Sequence, residues 1–233
     1  MGGAIMFGFF KKKTEERRYK LTDIPNKDLN IASSRGGVDI AVIDDRDFSY
    51  ASKLRNSGFR LDEVGDIDNI KKIEAYPLII CDIQGVGSAF GADSEGAFVI
   101  SEIRDRYPDK YIIAYSTDPF SHQDFINKAD KAVLKVTSVE QWVSVLNEGV
   151  SILLNPKSRW IRVREKLLSS NVDIYDVFLL EQAYIKSILE KDKDILSKKS
   201  TELNIDSFAK EVISIFVKVS LGVIIKQIWG AHG

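Results

Sequence analysis

The stretch Tyr76-Pro77-Leu78-Ile79-Ile80-Cys81-Asp82 decides how this chain folds. It is short, apolar at consecutive positions and bounded by a proline, which predicts a strand covered on both faces, as parallel strands are. It stops on a carboxylate. Val38-Asp39-Ile40-Ala41-Val42-Ile43 has the same character and stops on Asp44 and Asp45. Lys110-Tyr111-Ile112-Ile113-Ala114-Tyr115 leads into Ser116-Thr117, and Ala132-Val133-Leu134 leads into Lys135. Neighbouring parallel strands carry their carboxyl ends along one edge of the sheet, where open α/β folds bind ligands. Asp44, Asp45, Asp82, Ser116 and Lys135 are therefore expected to converge. Crowded carboxylates repel one another unless a cation neutralises them, so a divalent metal is the expected occupant.

Between these runs the sequence alternates with helical periodicity, the signature of βα repeats. Asp47 is placed to cap a helix carrying Tyr50 and Leu54, closed by Gly58. Arg60 to Val64 reads as a weaker strand, and Asp68-Asn69 as the opening of a helix with Ile70, Ile73 and Tyr76 on its inner face. A Gly- and Ser-rich loop runs from Gln84 to Gly96, and a helix from Ala97 to Tyr107 is stopped by Pro108. A short helix is expected after Asp118-Pro119. Ser138 is placed to cap a helix with Trp142, Val145, Leu146, Val150 and Leu153 at helical spacing. The expected fold class is thus α/β, a five-stranded parallel doubly wound sheet over residues 38–154.

Asn155-Pro156 marks a boundary, and beyond it the sequence predicts helices only. Arg159 to Leu168 is basic; Asp173 caps a longer helix bearing Val177, Leu180, Tyr184, Ile188 and Leu189; the charged stretch Lys191 to Lys199 ends it. Asp206 caps a last helix, Phe208 to Trp229, closed by Gly230. Its polar stripe, Lys210, Ser214, Lys218 and Lys226, is too narrow for a helix packed on one side, so residues 155–233 read as a bundle or a dimerisation module. Residues 1–37 read as a flexible arm, aromatic and basic.

A formal net charge of -1 over 233 residues gives no bulk attraction to nucleic acid or membrane. Cys81, the single cysteine, lies in a core strand; no internal disulfide is possible, which suits a reducing cytoplasm. His122 and His232 are too far apart in sequence to suggest a zinc site. Val212 to Trp229 is apolar but carries Lys218 and Lys226, so no transmembrane span is expected. In Met1 to Phe10 the apolar residues precede Lys11-Lys12-Lys13, the reverse of a secretory signal, and Met6 stands where myristoylation needs Ser or Thr.

Residues 38–154 resemble a response-regulator receiver domain of the two-component signalling family. The likeness rests on Ile43-Asp44-Asp45 after the first strand, Ile79-Ile80-Cys81-Asp82 on the third, Ile112 to Ser116 on the fourth, and Ala129-Asp130-Lys131-Ala132-Val133-Leu134-Lys135 ending in a lysine. The resemblance implies a flavodoxin-like receiver with an atypical helical extension. It implies Asp82 as phosphoacceptor and nucleophile, and Mg2+ held by Asp45, Asp82, Asp44 (directly or through water) and the backbone carbonyl of Gln84. Lys135 and Ser116 would contact phosphoryl oxygens. It also implies a sensor histidine kinase or phosphotransfer protein as partner, in a phosphorelay, with no metabolic turnover beyond self-phosphorylation and self-dephosphorylation.

Several positions depart from the family. Val136 stands where proline follows the lysine; a cis bond before valine costs about 3 kcal/mol, so a trans or reshaped loop is expected. Ala132 replaces the usual aromatic, and the loop after Asp82 is long, glycine-rich and without Met-Pro. The chain is therefore read as a cytoplasmic phosphorylation-dependent protein acting through protein contact or homo-oligomerisation. The alternatives are a pseudo-receiver scaffold, a DNA-binding regulator reading through Arg159, Arg162, Arg164 and Lys166, a metal-dependent phosphatase, and peripheral membrane contact.

Overall fold

The computed structural model describes residues 17–25, 30–91, 95–117 and 127–230. The short helix expected after Asp118-Pro119, the apolar start of the arm with its three lysines, and both histidines lie outside the described residues. Strands β1 (Asp39–Ile43), β2 (Arg60–Glu63), β3 (Leu78–Asp82), β4 (Tyr111–Ser116) and β5 (Lys131–Leu134) form one parallel sheet in the order β2-β1-β3-β4-β5. This is the flavodoxin-like order of receiver folds, and an all-helical region follows it.

The consecutive apolar runs follow from burial on two sides. Ile40, Val42, Leu78, Ile80 and Ile113 face one layer, where they meet α2 (Ala51–Asn56) and α4 (Val139–Leu154). Ala41, Ile43, Ile79, Cys81, Ile112 and Ala114 face the other, against α3 (Glu95–Arg106). Alternate residues feed opposite layers, so a polar residue inside these strands would sit in one core or the other. Ser138 caps α4 by accepting the N–H of Gln141, whose side chain reaches back to the Ser138 N–H.

Two expected helices differ from the sequence reading. The segment after Asn69 makes only a 3-10 turn, Ile70–Ile73: both isoleucines are already buried, and the chain must straighten to enter β3. Asp47 caps nothing in α2, which starts after Tyr50, because the chain first turns inward to bury Phe48. A four-residue helix, α1 (Ile31–Ser34), capped by Asn30, precedes β1.

Asn155 is the single residue between α4 and α5 (Pro156–Ser169), and its side chain accepts the N–H groups of Lys157 and Ser158. Helices α6 (Ile174–Leu189), α7 (Asp194–Glu202), α8 (Ser207–Phe216) and α9 (Gly222–Trp229) complete a bundle around Trp160, Leu180, Tyr184 and Phe216. Trp160 and Tyr184 stack at 4.7 Å. The charged stretch expected to end α6 does so at Lys191, at φ 59, but then starts α7, which buries Leu196 and Ser200. The predicted last helix is two, joined by a π-helical turn, Val217–Leu221. Residues ahead of the sheet also lie on the bundle: Tyr19 exchanges hydrogen bonds with Gln182, and Ile24 is buried among the helices. No helix among the described residues is long and apolar enough to cross a membrane.

The bundle meets the sheet at the amino ends of its strands. Just before β4, Asp109 and Lys110 are buried; Arg159 of α5 donates to Asp109, and Ser220 of the π-turn donates to the same carboxylate at 2.6 Å. Arg162 pairs with Asp130 at 2.7 Å, Lys166 with Asp105 at 3.0 Å, Arg106 with Glu211 at 2.7 Å. The Lys110 ammonium donates to the carbonyls of Glu74 (2.8 Å) and Tyr76 (2.6 Å) and lies 4.7 Å from the Tyr107 ring centroid.

Burial pushes the Lys110 ammonium down from 10.5 to about 7, partly countered by Asp109 and Glu74 and reinforced by Arg159. Between those two values the unfolded chain binds the proton that the folded protein has released, so this group makes stability rise with pH from about 7 upward. Its greatest possible slope is about 1.4 kcal/mol per pH unit. Urea unfolding of wild type and Lys110→Met across that range should show a rising component that the variant lacks. Equal slopes for the two proteins would contradict this.

Candidate functional site

The sheet order sets the site. From β1 the chain leaves for β2 on one side, and from β3 for β4 on the other, which opens a crevice at the carboxyl ends of these neighbours. Ile43 pairs with Cys81, so Asp44 stands abreast of Asp82. Carboxylate oxygens of Asp44, Asp45 and Asp82 lie within 4.8 Å of one another. Asp82 is 1% exposed and Asp44 7%, whereas Asp45 is open to solvent.

Backbone and lysine donors orient the inner pair. The N–H of Gln84 donates to Asp82 Oδ1 at 3.2 Å, and the N–H of Arg46 to Asp44 Oδ1 at 3.0 Å. Lys135 donates from Nζ to Asp82 Oδ2 and lies 5.1 Å from the Tyr115 ring centroid. Burial raises the Asp44 carboxyl above the usual carboxylate range; the Arg46 N–H opposes this, and the Asp82 charge adds to it.

Ser116 is buried at the end of β4, and its carbonyl accepts the Lys135 N–H at 2.9 Å. The sequence-predicted Asp44, Asp45, Asp82, Lys135 and the Gln84 backbone therefore meet, with Ser116 on the adjoining strand end. Val136 is 86% exposed and its peptide with Lys135 is trans.

The sequence reading missed three contributors. Tyr50, read as a helix packing residue, donates its hydroxyl to the carbonyls of Lys135 (3.0 Å) and Thr137, bracing the turn that holds the lysine. Gly96 lets α3 close on β3: a Cβ there would sit 2.0 Å from the carbonyl oxygen of Asp82. Gly85, at φ 78, lies so near Asp45 that a Cβ would come within 2.8 Å of its carboxyl. The unusual glycine density after Asp82 was the available signal.

The donor set suits a hard divalent cation. Three carboxylates face one ammonium, the oxygens are close enough to share an ion, and among the described residues no nitrogen or sulfur donor belongs to the cluster. The four residues of α5 read as a nucleic-acid contact do not form a free cationic face. Arg159, Arg162 and Lys166 pair with Asp109, Asp130 and Asp105, and Arg164 with Glu181 at 3.4 Å.

No family profile and no curated protein matches the sequence. Among solved structures, a response regulator receiver domain protein from Methanospirillum hungatei is 19% identical, with TM-score 0.40, covering 49% of this chain and 94% of its own. An adenylate cyclase from Rhodopirellula baltica is 20% identical, with TM-score 0.40, covering 56% and 96%. The response regulator TrrA from Thermotoga maritima, solved with Mg2+ and BeF, is 23% identical, with TM-score 0.36, covering 47% and 98%.

Proposed function

We propose that this protein is a response-regulator-like signalling protein that accepts a phosphoryl group on Asp82 and transmits the event through its helical bundle. The observation that carries the reading is the meeting of Asp44, Asp45 and Asp82 at the crevice between β1 and β3, with Lys135 on the innermost carboxylate. An Asp82 oxygen attacks the phosphorus of a donor; the bond to the donor's leaving group breaks, the leaving group takes the electron pair, and an acyl phosphate remains. Asp44, Asp45, Asp82 and the Gln84 carbonyl would hold Mg2+, which when bound neutralises charge on the phosphoryl oxygens. Lys135, already beside Asp82, supplies a compact positive charge to one phosphoryl oxygen, and the Ser116 hydroxyl a hydrogen bond to another. The chemistry is confined to the protein's own carboxylate, with no turnover of an external substrate.

Transmission has a continuous route. Lys135 directly follows β5; directly before that strand Asp130 is gripped by Arg104 of α3 at 2.6 Å and by Arg162 of α5 at 2.7 Å. A shift of Lys135 towards a phosphoryl group would pull on a strand anchored to the bundle. On α6, Ile174, Tyr175 and Phe178 are exposed, a face suited to a protein partner or a second copy. The donor partner would be a histidine kinase or phosphotransfer protein of the cytoplasm, a compartment that suits the single buried thiol.

Calorimetric titration tests the site. Wild type should bind one Mg2+, and Asp45→Asn about tenfold or more weakly, as expected when a carboxylate ligand is lost. Because Asp44 holds its proton to higher pH than an ordinary aspartate, affinity should fall on acidification earlier than for unperturbed carboxylates. Equal Mg2+ binding by wild type and Asp45→Asn would remove the acid cluster from the account.

A further inference from the structure

We infer that Glu95 is a positioning residue of the acid site: its carboxylate pins the Gln84–Gly85 turn against Asp45. Its consequence for metal binding rests on the phosphoryl-acceptor reading; the pinning itself does not. Glu95 Oε2 accepts the N–H of Gly85 at 2.7 Å. Gly85 in turn presses on Asp45, with no room for a side chain between them. Glu95 therefore acts on the outer carboxylate through one backbone unit, while lying outside the oxygen cluster itself.

The backbone of Glu95 is unusual. At φ 44 it occupies the left-handed region, which is strained for a residue other than glycine. Its neighbour Gly96 enforces this placement, packed on the Asp82 carbonyl with its N–H donated to Ile83 O at 3.1 Å. A glutamate in the first turn of a helix ordinarily faces that helix's own free N–H groups. Glu95 instead reaches back across the loop. The far side of the same loop is tied separately: Asp66 accepts the Gly87 N–H at 2.6 Å and the Ser88 hydroxyl at 3.0 Å. With Asp66 fixing one side, Glu95 supplies the tie next to the acids.

The test uses the full chain and two variants. Glu95→Gly accepts the left-handed backbone without strain but removes the carboxylate; Glu95→Gln keeps an acceptor oxygen. Hydrogen exchange at the Gly85 amide should quicken about tenfold in Glu95→Gly, the loss of one charge-assisted hydrogen bond, and recover in part in Glu95→Gln. Mg2+ affinity should weaken several-fold in Glu95→Gly and less in Glu95→Gln, while thermal stability holds or rises. Unchanged exchange in Glu95→Gly overturns the inference. Faster exchange with unchanged Mg2+ affinity reduces Glu95 to a loop anchor and overturns its role at the site. A wild type that binds no Mg2+ refutes the phosphoryl-acceptor reading instead, and the exchange result still decides whether Glu95 pins the turn.

Discussion

Arg159→Met should lower the free energy of unfolding by about 3–5 kcal/mol, the cost of leaving a buried charge without its partner. Arg159 and Asp109 are both buried, and among the described residues only the Ser220 hydroxyl would still donate to the carboxylate. Burial by itself would raise the Asp109 carboxyl, but the Arg159 charge and the Ser220 hydroxyl outweigh it and hold the group below the usual range. A depressed folded value means that the stabilisation is present at neutral pH and is lost as pH falls through it. The variant should therefore lose stability most at neutral pH and less in acid. Because the pair joins bundle to sheet, urea unfolding should also separate into two transitions, one for each part. The double variant Asp109→Leu/Arg159→Met, with no charge left to bury, should recover most of the loss. A loss under about 1 kcal/mol in the single variant would show that the junction does not depend on this pair.

Lys135→Met should have the largest chemical effect among variants that keep all three carboxylates. Removing one positioned positive group from a phosphoryl oxygen should slow adduct formation by about 10²–10³-fold, by analogy with the loss of one oxyanion donor. Mg2+ affinity should be unchanged or tighter, since the ammonium competes with the ion for Asp82. Slow acceptance with intact metal binding would separate the lysine's role from that of the acids. Acceptance within a few-fold of wild type would mean that Lys135 only pairs with Asp82 in the resting protein.

Much of this arrangement could be read from local pattern. Leu78 to Cys81 are apolar at every position because β3 is covered on both faces, and Asp44, Asp45 and Asp82 stand where such strands end. Ser138, Asp173 and Asp206 announced their helices through side chains that accept N–H groups of the first turn. What escaped depends on contacts between distant parts of the chain. Arg159, Arg162 and Lys166 looked like a cationic stripe because Asp109, Asp130 and Asp105 belong to the sheet domain. Helix α7 escaped because its apolar residues are few and its burial is supplied by the helices around it. Tyr50 and Glu95 reach the site through main-chain partners, Lys135 and Gly85, and a backbone partner leaves no trace in residue type.

Intact mass after incubation with Mg2+ and a small acyl-phosphate donor addresses the acceptor claim itself. Wild type should gain a single phosphoryl adduct that chelation of the metal prevents, and Asp82→Asn should gain none. An adduct on Asp82→Asn, or an unmodified wild type, would contradict the assignment of Asp82 as the group that takes the phosphoryl.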